Sequence, residues 1–150
     1  MDYGNLNISR IYQKLADMKE SVQILRQYGT QEDGVFLDNP EAVRSARYTF
    51  IVLVEAATNI ASHICARLLA RAPVNYAESF LLLGEHKIME ANLAKRLSMM
   101  AGFRNLLVHG YGEIDDSRML KIIREDLGDV GLYLAAIGEL LSKAEGELNK

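Results

Sequence analysis

Residues 40–70 read PEAVRSARYTFIVLVEAATNIASHICARLLA, and their period decides the fold. Val43, Ala46, Phe50, Leu53, Ala57, Ile60, Ile64 and Leu68 step by three and four, the spacing of one helix face. The stretch reads as one unbroken helix on the order of 45 Å long, which matches or exceeds the width of a domain of this size. Its start is marked by Asp38-Asn39-Pro40-Glu41. Asn39 can cap, Pro40 loses nothing in a first turn whose N–H groups are unpaired anyway, and Glu41 sits at the positive end of the helix. A second stripe on the same helix carries Arg44, Tyr48, Glu55, Asn59 and His63.

Such a helix needs partners, and the rest of the chain supplies them. Upstream, Ile8, Ile11, Leu15, Met18, Val22 and Leu25 form a regular seam over about Asn7 to Tyr28. Gly29 to Asp38 reads as a polar loop. Downstream, Pro73 breaks the chain, and Asn75-Tyr76-Ala77-Glu78 resembles a capping box opening a third helix that ends near Gly84. Glu85-His86-Lys87 reads as a turn with His86 exposed. A fourth helix starts near Met89. Asp115 or Asp116 caps a short fifth helix, and Asp126 to Asp129 marks a break. The last helix uses Leu127, Val130, Leu134, Ile137, Leu141, Ala144 and Leu148. Gly131 and Gly138 weaken it in isolation, so packing must hold it. No alternating strand pattern occurs. The expectation is an all-α, mostly antiparallel bundle of five to six helices in a single domain spanning residues 1–150.

Composition narrows function. A hydrophobic fraction of 49% is ample for a core. A formal charge of −3 excludes a general nucleic-acid binder. Non-specific affinity for RNA comes mostly from phosphate neutralisation, so an RNA site here needs a local basic cleft or recognition by shape. The single cysteine, Cys65, excludes an intrachain disulfide and reads as a small core residue. No secretory leader pattern is present, and no apolar run approaches the length of a membrane span, so the expected location is the cytoplasm. None of the three histidines has a Glu three residues before it, which removes a di-iron bundle site. Glycine-rich phosphate loops, zinc-ligand spacings and a basic recognition helix are also missing. No cofactor or metal is expected.

The chemistry concentrates in Arg104-Asn105-Leu106-Leu107-Val108-His109-Gly110-Tyr111, at the end of the fourth helix. Leu93, Leu97, Met100, Leu107 and Tyr111 lie on one face with Arg104 inside the stripe, and Met99, Phe103 and Leu106 widen it. A helix apolar nearly all round is buried or meets a partner. An arginine there keeps its charge and needs an acceptor or an anionic ligand. Glu55 of the long helix is the candidate acceptor, with Asn59 and His63 lining the same groove. His109 lies roughly 140° around an ideal helix from Arg104. Gly110 and Gly112 can end the helix and let His109 swing. Alternatively, a two-fold dimer can bring two copies of the segment into one groove. A histidine titrates near neutral pH and can move a proton at a ribose hydroxyl or leaving oxygen. A guanidinium can hold two oxygens of a phosphate.

This Arg-x4-His-x-Tyr segment, with Phe103 before it and the helix Arg47 to Ala57 behind it, resembles the signature of the HEPN superfamily, specifically the HepT-like toxins. The resemblance covers nearly the whole chain. It implies a metal-independent endoribonuclease with Arg104 and His109 catalytic, and Asn105 at the polar position after the arginine. It further implies an RNA substrate and a cognate minimal nucleotidyltransferase antitoxin that adenylylates Tyr111 and blocks cleavage; a homodimer is expected from the divergence of Arg104 and His109. Two other readings of the same residues stand beside it. One is a non-catalytic module that docks a nucleotidyltransferase or binds a nucleotide. The other is a structural dimerisation bundle in which Arg104 simply pairs with Glu55.

Overall fold

The computed structural model describes residues 1–110, 112 and 114–150; Tyr111 and Glu113 lie outside the described residues. Seven α-helices and no strand occur among the described residues. They are α1 (Ile8–Gly29), α2 (Asp33–Leu37), α3 (Pro40–Arg67), α4 (Tyr76–Glu85), α5 (Ala91–His109), α6 (Asp116–Glu125) and α7 (Leu127–Leu148). A short 3-10 turn, Tyr3–Asn5, precedes them. The expected all-helical bundle is present, with one helix more than expected. Phe36 is the reason: the polar stretch after Gly29 carries it into the core, where it is fully buried against the Tyr28 ring at 5.6 Å. Winding residues 33–37 into a helical turn pairs backbone groups that this burial would otherwise strand.

Four helix starts are fixed by side chains that accept from the first-turn backbone; Asn39, Asn75 and one of Asp115 or Asp116 are expected, and Asn7 is the structure's addition. Asn7 accepts from Arg10 N–H, Asn39 from Ala42, Asn75 from Glu78 and Asp115 from Arg118. The long helix α3 is the axis of the bundle. α1 lies along it, α4 and α5 cross it, and α7 packs on α5. By length and composition α3 is apolar enough to cross a membrane, contrary to the expectation that no stretch approaches a span. However, 61% of its most apolar window is buried inside the bundle, the pattern of a core helix.

Edge-to-face aromatic pairs lock the crossings. Phe50 of α3 meets Phe103 of α5 at 5.4 Å, and Phe80 of α4 meets Tyr133 of α7 at 5.6 Å. Tyr133 is fully buried and donates its hydroxyl to Ala57 O at 2.8 Å. The apolar stripe read for the last helix omits it, although it stands three residues from Val130 and four from Ile137 on the buried side. α4 and α5 approach closely because Gly84 has no side chain; a Cβ there would sit 2.7 Å from that of Ala94. Two charged clamps hold α6. Arg47 of α3 makes a bidentate pair with Asp116 at 2.8 and 2.7 Å. Arg124 reaches Gly29 O, Gln31 O and Asp33 across the α1–α2 connection. These clamps fix where the chain goes after the Arg104–Tyr111 segment.

Candidate active site

Arg104 projects from α5 toward α3, and its side chain keeps only 12% of its exposure. Counting 100° per residue, it shares the side of α5 that carries Leu93, Leu97 and Met100, all buried. A permanently charged group on that side must be paired. Its Nη2 donates to Glu55 Oε1 at 2.5 Å and its Nη1 to Asn105 Oδ1 at 3.1 Å. The guanidinium carbon also stands 4.8 Å from the centroid of the Tyr76 ring, at the first turn of α4. The Nε is buried without a hydrogen-bond partner among the described residues. Of five N–H donors, two are engaged. Glu55 remains 46% exposed, so the pair meets solvent at its carboxylate end. The result is a guanidinium held from three sides, with donors left for a further acceptor.

His109 is the last residue of α5 and is exposed. The helix stays regular through it, closed by Gly110 N–H donating to Leu106 O at 2.7 Å. The 140° separation from Arg104 therefore persists. Among the described residues no hydrogen bond or ion pair joins the two. The swing of His109 about Gly110 is not seen. Gly112 (φ +101°) makes the left-handed turn beyond the helix, the region that favours glycine. Tyr111, between them, lies outside the described residues.

Lys95, Met99, Gly102 and His109 share the outer face of α5, all exposed, with Met99 at 73%. The sequence makes Met99 a core or interface filler; no described residue of this chain covers it. A Cβ added at Gly102 would meet open space, so no described residue packs closely on it.

Glu55, Asn59 and His63 line one groove of about 580 Å³ beside Arg104, together with Arg10 and Lys14 of α1 and Tyr76 of α4. Asn59 Oδ1 accepts from Arg10 Nε at 3.2 Å, and His63 Nε2 accepts from the Asn7 N–H at 2.9 Å. An imidazole nitrogen that accepts carries no proton. Burial, followed by the nearby charges of Arg67 and Arg10, holds the His63 pKa below its ordinary value. Arg10, Lys14 and Tyr76 do not stand out in the sequence. α1 shows only its apolar seam, and a capping box gives the start of α4 but not the helix it crosses.

Other candidates resolve simply. Arg96 pairs with Asp129 of α7 at 3.1 Å. Cys65 is buried, its thiol directed at Ser79 O, and burial pushes its pKa up to about 11, so it is an inert core residue. His86 is half-buried rather than exposed, because the turn after α4 folds its Nε2 inward, where it has no partner among the described residues. Among the described residues no three His, Cys, Asp or Glu side chains stand together as metal ligands.

Fold and site together define a helical-bundle protein with an Arg-x4-His-x-Tyr segment at the end of a core helix. Residues 18–137 match the family described as ribonuclease HepT-like, and the chain belongs to that family. Over 96 residues it is 32% identical to a tRNA nuclease HepT of Aphanizomenon flos-aquae, spanning 64% of this chain and 65% of that protein. Over 83 residues it is 29% identical to an mRNA nuclease HepT of Shewanella oneidensis, spanning 55% and 62%. The chain thus spans slightly under two thirds of the length of these curated relatives. Among solved structures, a tri-AMPylated HEPN toxin of Shewanella oneidensis in complex with an MNT antitoxin is similar, with a TM-score of 0.80 at 25% identity. That likeness covers 89% of this chain and 98% of the toxin. YutE of Bacillus subtilis, 16% identical with a TM-score of 0.80, shares the fold.

Proposed function

We propose that this chain is a metal-independent endoribonuclease toxin, acting in the cytoplasm as a homodimer, with Arg104 and His109 as its catalytic residues. The observation that carries this reading is the state of Arg104. Glu55, Asn105 and Tyr76 hold it rigidly on a core helix, yet it is not saturated. Catalysis by such a group is positional and electrostatic: donors fixed in advance meet the charge that grows on the phosphate oxygens. In the proposed reaction the ribose 2′-oxygen attacks phosphorus and the bond to the 5′-oxygen breaks. One proton leaves the 2′-hydroxyl and one is delivered to the departing oxygen. An imidazole suits both transfers.

Because α5 points His109 away from Arg104, the second subunit has a clear role. A two-fold dimer in which His109 of one copy stands beside Arg104 of the other assembles both groups in one cleft. The two His109 rings then serve as base and acid. Tyr111, two residues on, is the proposed adenylylation target of a partner minimal nucleotidyltransferase. Support comes from the family and from the AMPylated toxin–antitoxin complex whose toxin has this fold.

The second reading is a non-catalytic module that docks a nucleotidyltransferase or binds a nucleotide. Its support is that Arg104 already spends one nitrogen on Glu55. Incubation of the purified chain with end-labelled RNA in excess chelator separates the two. Cleavage is expected, falling by about 10²- to 10⁴-fold in His109→Ala and comparably in Arg104→Ala. Intact RNA with the wild-type chain favours the binding module. Undiminished cleavage by both variants removes the catalytic assignment.

A further inference from the structure

An acidic chain that handles RNA needs a local place where cations outnumber carboxylates, and three grooves can be compared. The one between α5 and α6, about 360 Å³, sets Arg96, Arg118 and Lys121 against Glu125, Asp126 and Asp129. The one between the α4–α5 turn and α7, about 700 Å³, has Lys87 against Glu85, Glu90 and Glu139. The first is balanced and the second acidic. The groove along α3 differs. Arg10 and Lys14 line it against Asp17 and Glu55; Arg104, outside the lining, already pairs with Glu55, which leaves two cations facing one uncompensated carboxylate.

That groove is also continuous with the motif. Glu55 and Tyr76 line it and both touch Arg104. From Glu55 to His63 it follows two turns of α3, about 12 Å. We propose that this groove seats the RNA strand flanking the scissile phosphate, with Arg10 and Lys14 binding its phosphates. The proposal rests on the ribonuclease reading for the identity of its strand. Both cations are available for the task. Lys14 is only loosely paired with Asp17, at 3.8 Å, with the lysine side chain 35% exposed. Arg10 uses Nε on Asn59, which leaves its Nη fork for an anion. Tyr76 already has Arg104 against its ring, so recognition is by backbone charge more than by base stacking, and base preference at this subsite is weak.

The test is fluorescence anisotropy of labelled single-stranded RNA on the full-length His109→Ala protein over a range of salt, since binding does not require cleavage. Adding Arg10→Ala and Lys14→Ala should lower the salt slope by about 1.4, at about 0.7 for each phosphate no longer neutralised, and weaken low-salt affinity at least tenfold. Lys14→Gln alone, at a partly exposed position, should remove about half of that slope change. Thermal melting confirms that each variant is folded. Unchanged slope and affinity overturn the proposal, as does a parent protein that binds no RNA at low salt. Competition by AMP at an affinity equal to that of the strand would make this a mononucleotide pocket and also overturn it. The two readings fail separately. Loss of slope without any RNA cleavage by wild-type protein sinks the nuclease, not the groove. Cleavage with unchanged slope sinks the groove, not the nuclease.

Discussion

Glu55 does two jobs for one arginine. It neutralises a guanidinium on the buried side of α5, and because it stays half exposed it does so without sealing the group away. The pair is open to water only at its carboxylate end, so losing the counter-charge of a mostly buried guanidinium costs about 1–3 kcal/mol. Glu55→Gln should therefore shift urea unfolding by no more than that, while RNA cleavage drops because Arg104 is less firmly positioned. A loss of stability of that size with unaltered cleavage per folded molecule would make the pair purely structural.

His63 gives a pH signature. Its folded pKa is depressed, so the folded state binds fewer protons than the unfolded one, and stability falls as pH drops through the ordinary histidine range near 6.5. His63→Gln should flatten the decline in melting temperature between about pH 7 and 5. An identical pH profile in the variant contradicts this account. The Arg104–Glu55 contact is legible in the sequence, because a fixed charge in an apolar stripe demands an acceptor and the polar stripe of α3 offers one. Tyr76 against Arg104 is not, since helical period says nothing about which helices cross.

At the scale of elements, caps carry the reading. Asn39, Asn75 and one of Asp115 or Asp116 mark helix starts in the sequence, and Asn39, Asn75 and Asp115 accept from the backbone in the structure, as does Asn7. The short helix α2 escapes because five residues cannot display a 3.6-residue period; only the burial of Phe36 reveals it. Phe36→Ala should cost about 3–5 kcal/mol in chemical denaturation, as for other large aromatic truncations in cores. A cost below about 1 kcal/mol, typical of surface positions, would mean that α2 is a dispensable flap. Tyr133 escapes for another reason. A buried tyrosine is tolerable only where its hydroxyl finds a partner, and that partner, the Ala57 carbonyl, lies 76 residues away.

At the scale of the whole molecule, the two proposed catalytic side chains diverge. Arg104 is held inward, His109 stands outward at the end of the same helix, and Met99 on that outer face is uncovered. Helical geometry makes that divergence readable before any coordinates, but which surface a second copy covers depends on shape across two molecules, which no single-chain pattern encodes. If the arginine and the histidine act on the same phosphate, their contributions cannot be independent. The decisive measurement is a double-mutant cycle on kcat/KM for RNA cleavage with Arg104→Ala, His109→Ala and the double variant, each confirmed folded. Residues that work as a unit are strongly non-additive, so each single variant should lose about 10²- to 10⁴-fold and the double scarcely more. Wild-type rates in either single variant, or losses that multiply in full, would contradict a shared site.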